Sequence, residues 1–121
     1  MTWDSSNLIL SSFILCVVYS SPKYPLHSLK KNMEEVLNNY DHSSDILIMG
    51  DFNTEKSIIN QSGFVQNIQE NTTCGLYGGI LCHAYSKLSN FILSSSVLFR
   101  CFTRSQHHPI IVMLERKPEN L

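Results

Sequence analysis

The chain has 121 residues, with nine Lys and Arg against ten Asp and Glu, a net charge of −1 and a pI near 6.5. That length holds one domain at most, and the 43% apolar content is enough to build a core. The balanced charge excludes the basic footprint of an autonomous nucleic-acid-binding module, whose affinity comes largely from neutralising phosphates.

In chain order, the first seven residues are polar apart from Trp3. Residues 8–19 are strongly apolar but too few to span a bilayer, so no membrane contact is expected. Two readings compete there. A secretory signal would have an acceptable apolar core, but its leading residues carry Asp4 and no Lys or Arg. The alternative is a buried strand over residues 13–19, rich in β-branched and aromatic types. The strand is preferred, and with it an intracellular place over a secreted one.

Residues 19–25 read as a loop, because Pro22 and Pro25 remove amide donors. Residues 27–40 read as an amphipathic helix opened by His27 or Ser28. Leu26, Leu29, Met33, Val36, Leu37 and Tyr40 form one apolar stripe at spacings of three and four. A polar link over residues 41–45 leads to Ile46-Leu47-Ile48-Met49, a continuous apolar run of the kind that is buried on both faces. Gly50 can leave that strand sharply. Asp51 and Asn53 then fall just past its carboxyl end, on one side of the chain. Ligands bind at that rim in open α/β folds. Strand, helix, link, strand is a βαβ-like order, which does not by itself make the strands neighbours.

Gly63, Phe64, Val65 and Ile68 suggest a short helix or turn. Residues 71–79 are rich in turn formers. Ile80 and Leu81 restart a short strand, followed by residues 82–86. Residues 88–102 alternate serine with apolar side chains, with Val97, Leu98 and Phe99 the best strand core. A loop over 103–108 ends at Pro109. Residues 110–114 form a last buried strand, and 115–121 a polar tail that frays. The four cysteines, Cys16, Cys74, Cys82 and Cys101, are widely spaced with no C-x-x-C, which argues against a structural zinc site. Without a spacing motif, His83 and His108 read as packing or surface residues. Taken alone, Asp51-Phe52-Asn53 is an Asx turn and Tyr19 a strand-end ring with a wet hydroxyl.

Two stretches carry more when read together. Gly50-Asp51-Phe52-Asn53 follows one strand, and Ser105-Gln106-His107-His108-Pro109 feeds another. Tyr19-Ser20-Ser21-Pro22 precedes them, and Thr72-Thr73 with Leu81-Cys82-His83-Ala84-Tyr85 lies between. This order resembles the endonuclease/exonuclease/phosphatase superfamily, the deoxyribonuclease I-like nucleases, and most nearly the endonuclease domains of transposable elements. The resemblance takes the chain, 1–121, as a single partial domain, with 8–114 the resembling region and 115–121 the tail. It implies an α/β fold, the C-terminal half of a DNase I-like two-sheet β-sandwich flanked by helices, incomplete. The family's activity is Mg²⁺-dependent hydrolysis of DNA phosphodiesters. By resemblance, Asp51 aligns and deprotonates the attacking water. Asn53 donates to a phosphate oxygen, and His107 stabilises the developing charge. Tyr19 and Thr73 are the substrate-binding positions.

The sequence also departs from that pattern. Gln106 stands where the family has a metal-facing aspartate, and Cys82 where it has the aspartate that braces the histidine. The family's metal-binding glutamate and early asparagine belong to a first half that these residues do not include. The expectation is therefore a degenerate, inactive domain, without a competently held Mg²⁺ and with DNA at most a weak partner. Without a first half to supply the second sheet, an exposed sheet face would favour self-association. The alternatives are a non-catalytic interaction module on the same fold, and a small secreted protein led by residues 8–19.

Overall fold

A computed structural model describes residues 13–40, 44–61, 63–73, 79–98 and 107–118. The order is β1 (Phe13–Tyr19), α1 (Leu26–Asn38), β2 (Asp45–Asp51), β3 (Val65–Gln66), β4 (Cys82–Lys87), β5 (Phe91–Val97) and β6 (Ile110–Arg116). Four strands form one sheet in the order β1-β2-β4-β3, and β5 pairs with β6 in a second. The class is mixed α/β, with most of the structure in strands.

β1 and β2 are parallel neighbours, with Phe13 opposite Asp45 and Tyr19 opposite Asp51. Parallel strands need a crossover, and α1 supplies it. The βαβ order in the sequence is thus a true adjacent unit. α1 opens one residue before His27 and uses no side-chain cap. Pro25 stands before it with an extended backbone, and its carbonyl accepts from the Ser28 and Leu29 amides. The helix ends at Asn38, so Tyr40 drops out of the stripe and is 39% exposed.

The core lies on both sides of β2. Ile46 and Ile48 pack with Leu29, Met33 and Leu37 of α1, and with Phe52, Ile58, Ile59 and Tyr85. Leu47 points the other way and packs with Ile68, Ala84 and Val97, closed over by Leu93, Ile110, Val112 and Leu114. The result is three layers: helix, four-stranded sheet, two-stranded sheet. Burying each of Ile46, Leu47 and Ile48 contributes about 1.5–3 kcal/mol. That double burial explains why the run is uninterrupted rather than alternating.

Several sequence expectations change. The second sheet comes from the chain's own β5–β6 hairpin, not from a missing half. Its serine-apolar alternation is a one-sided strand pattern, with Leu93 and Val97 facing inward and Ser94 and Ser96 outward. β5 is therefore centred before Val97-Leu98-Phe99, and Phe99 lies outside the described residues. β6 continues through Glu115 and Arg116, which pair with Ile92 and Phe91, so these two residues are strand rather than tail. Ile80 and Leu81 precede β4 instead of forming it. The segment at Gly63 is a turn leading into the short strand β3.

β1 differs most from its reading. Among the described residues it is the edge of its sheet, and Leu15, Val17 and Tyr19 are 56%, 75% and 75% exposed. The hairpin covers only its first residue, where the Phe13 and Phe91 rings meet edge-on at 5.4 Å. Residues 8–12 of the proposed signal segment lie outside the described residues. Among those described, no helix is long and apolar enough to cross a membrane.

Candidate active site

Gly50 sets the position of the site. A Cβ there would sit 1.8 Å from the Val18 carbonyl oxygen on β1. Only glycine lets the two backbones approach this closely. The next residue, Asp51, ends β2 and lies opposite Cys82, the first residue of β4. The chain then turns through Asn53, whose φ of 51° is a left-handed conformation that asparagine tolerates. The Asn53 amide N–H donates to Asp51 Oδ1 at 3.0 Å, closing an Asx turn. The Asn53 side-chain amide donates to the Ser20 carbonyl, and the Ser20 N–H donates to the Asp51 carbonyl at 2.9 Å. The turn is thereby tied to the end of β1.

The histidine arrives from a distant segment. His107 forms an isolated antiparallel bridge with Thr73, and the His108 N–H donates to the Thr72 carbonyl at 2.6 Å. Thr72 is completely buried. Its Oγ1 accepts from the Leu81 and Cys82 amides, each at 3.0 Å, and donates to the Gly79 carbonyl at 3.3 Å. One threonine thus fixes both the start of β4 and the segment that carries His107.

The imidazole of His107 lies between two partners. Its Nε2 is 3.5 Å from Asp51 Oδ2. Its Nδ1 is 3.5 Å from Cys82 Sγ. The carboxylate contact is longer than a normal N–H···O bond. Burial pushes the Cys82 thiol up, the Asp51 charge adds to this, and a hydrogen bond with Thr72 partly offsets it. The thiol is therefore neutral near pH 7 and is a poor brace for a cationic imidazole.

His83 has a different job. It is 1% exposed, and its Nε2 lies 2.9 Å from the Ile80 carbonyl. A carbonyl only accepts, so Nε2 carries the proton and Nδ1 accepts from the Tyr85 hydroxyl at 2.7 Å. The same hydroxyl accepts from the Ile58 amide at 2.9 Å, and the His83 ring stacks on Phe52. Burial, its largest influence, holds the His83 pKa below the ordinary histidine value, so the ring stays neutral inside the core. The packing role expected from the sequence is the one it performs.

Of the residues singled out in the sequence, Asp51, Asn53 and His107 come together. Tyr19 is the register partner of Asp51 on the neighbouring strand, so it shares that face of the sheet at the same rim. The Thr73 hydroxyl accepts from the Gly79 amide at 2.7 Å and donates to its carbonyl at 3.2 Å, so it closes a loop. Gln106 lies outside the described residues. Two participants escaped the sequence reading. Cys82 counts there only as a lost carboxylate, and Thr72 only as a turn former and half of the Thr72-Thr73 stretch, with no role at the site. The strand register and the long-range bridge reveal them, and neither is a local sequence signal.

The donor set does not fit Mg²⁺. That ion wants about six oxygen ligands near 2.0–2.1 Å. Among the described residues, Asp51 offers the cluster's only carboxylate, and the other two groups are a thiol and an imidazole. A cleft of about 300 Å³ between α1 and residues 58–61 shares no lining residue with this cluster. In comparisons with known proteins, no family model, no curated protein and no solved structure matches the chain.

Proposed function

We propose that this chain is a degenerate, partial domain of the deoxyribonuclease I-like type, keeping part of a phosphodiesterase site without its Mg²⁺ chemistry. The observation that supports this reading is the meeting of Asp51 and His107, which arrive 56 positions apart in sequence (107 − 51) on one rim at 3.5 Å. Cleaving a phosphodiester needs an aligned basic water, charge stabilisation and a protonated leaving oxygen. Asp51 can accept a proton from water, and His107 can donate to a phosphate oxygen. The missing part is charge. Cys82 gives the imidazole no anion, and among the described residues no hard-ion site gathers around Asp51. Each 1.36 kcal/mol of lost stabilisation is about a tenfold loss of rate. Incubation with supercoiled plasmid in Mg²⁺ or Mn²⁺ is expected to give no nicking above an Asp51→Ala control. Metal-dependent nicking by the wild type that disappears in Asp51→Ala would overturn the assignment of inactivity.

A second reading, a non-catalytic module that associates with itself, is favoured by one observation. The exposed row Leu15, Val17 and Tyr19 runs along an edge strand whose seven residues include no charge and no proline. Native edges of this kind are normally blunted by such residues. Sedimentation velocity is expected to show a concentration-dependent dimer that Val17→Lys abolishes while the variant stays folded. A monomer at all concentrations would remove this reading.

A further inference from the structure

The mixed cluster at the rim suits a different ion. We propose that Asp51, Cys82 and His107 form a binding site for a zinc-class divalent transition ion, with the fourth position open to water. The three side chains offer one carboxylate oxygen, one sulfur and one ring nitrogen, all within 4.8 Å of one another. Zn²⁺ takes such ligands at about 2.3 Å for sulfur and about 2.0–2.2 Å for nitrogen and oxygen. Around a tetrahedral ion those bonds set neighbouring ligand atoms roughly 3.3–3.6 Å apart. The Cys82 Sγ to His107 Nδ1 separation is already 3.5 Å. An imidazole gives a metal one nitrogen, so the ion joins Nδ1 and Sγ. The Asp51 carboxylate, now turned to Nε2, closes the third position by a side-chain movement from within the cluster's 4.8 Å to such spacing.

Charge and preorganisation favour the same ion. On binding, the thiol gives its proton to solvent. The thiolate and the carboxylate then cancel the two positive charges, so the buried side of the site ends neutral. The backbone that carries each ligand is already fixed. Thr72 Oγ1 holds the Cys82 amide, the Asn53 amide holds Asp51 Oδ1, and the bridge to Thr73 holds His107. Such outer contacts orient ligands before the ion arrives. Softness explains the selectivity: thiolate and imidazole prefer zinc-like ions, and Mg²⁺ prefers oxygen. The inference stands on this cluster alone, whatever the ancestry of the fold, so its failure would leave the phosphodiesterase reading untouched.

Titration of the purified, reduced full chain with Co²⁺ tests it. One equivalent is expected to produce a thiolate-to-cobalt charge-transfer band and visible bands of tetrahedral intensity. Zn²⁺ should displace the cobalt, and excess Mg²⁺ should not. Cys82→Ser is expected to lose the charge-transfer band and to weaken zinc binding by about a hundredfold, the upper end of what even outer contacts cost. Cys16→Ser should keep both. His107→Gln, checked for folding by circular dichroism, gives a second loss independent of the thiol. Absence of the band in the wild type would overturn the site. So would a band that survives Cys82→Ser, which would place the sulfur ligand at Cys16, Cys74 or Cys101.

Discussion

Gly50→Ala is expected to destabilise the protein by more than about 3 kcal/mol, a large share of the roughly 5–15 kcal/mol that a domain has. The added methyl would meet three atoms of Val18: its carbonyl oxygen at 1.8 Å, its carbonyl carbon at 2.7 Å and its amide nitrogen at 2.9 Å. All three are backbone, so no side chain can rotate away. Relief requires β1 and β2 to separate, which breaks the parallel ladder from Val17–Met49 to Tyr19–Asp51. The φ of 156° adds a further cost for any residue with a Cβ. Because Gly50 is the residue before Asp51, the same movement would lift the carboxylate away from His107. Urea unfolding followed by circular dichroism measures the loss. A variant within about 1 kcal/mol of wild type, the ordinary cost of a single substitution, would contradict the close approach of the two strands.

Asp45→Ala is expected to cost about 2–4 kcal/mol, from the loss of several charge-assisted hydrogen bonds. Asp45 is 1% exposed at the start of β2. Its Oδ1 accepts from the Ser89 amide and hydroxyl, each at 2.8 Å, and its Oδ2 from the Asn90 amide at 2.9 Å. Those two residues form the turn between β4 and β5. One carboxylate therefore fastens the first sheet to the turn that starts the second. Each such bond is worth about 1.5–3 kcal/mol, but Ser89 is exposed and water would recover part of the loss. Asp45→Asn keeps one acceptor oxygen and should fall between alanine and wild type. Denaturant midpoints for the three proteins decide the matter. If alanine matches wild type, Asp45 does not hold the two sheets together.

The elements that were legible in the sequence are those whose signal is local. Ile46 to Met49 reads as a doubly buried strand because every side chain is apolar, and it is one. Leu29, Met33 and Leu37 read as a helix stripe because helical spacing puts them on one face, and they are buried there. Asp51 and His107 could be singled out from short motifs. What could not be read depends on the order of strands. Phe13–Tyr19 is as apolar as β2, yet it stands at an edge, and nothing within those seven residues separates the two cases. The β5–β6 hairpin was harder still. The turn that leads into it from β4 is fixed by Asp45, 44 positions before Ser89. Cys82 shows the same limit at the site. Its local sequence records only a missing carboxylate, and its place opposite Asp51 follows from an antiparallel register. Thr72 joins two segments by hydrogen bonds that no pattern of spacing announces.

The convergence of Asp51, Cys82 and His107 on one rim can be measured directly by histidine-ring NMR on metal-free protein. The His107 ring resonances are expected to move in Asp51→Asn and again in Cys82→Ala, because one partner touches each ring nitrogen. His27, exposed on α1, should stay in place in both variants. A His107 signal that ignores both substitutions would contradict the shared rim.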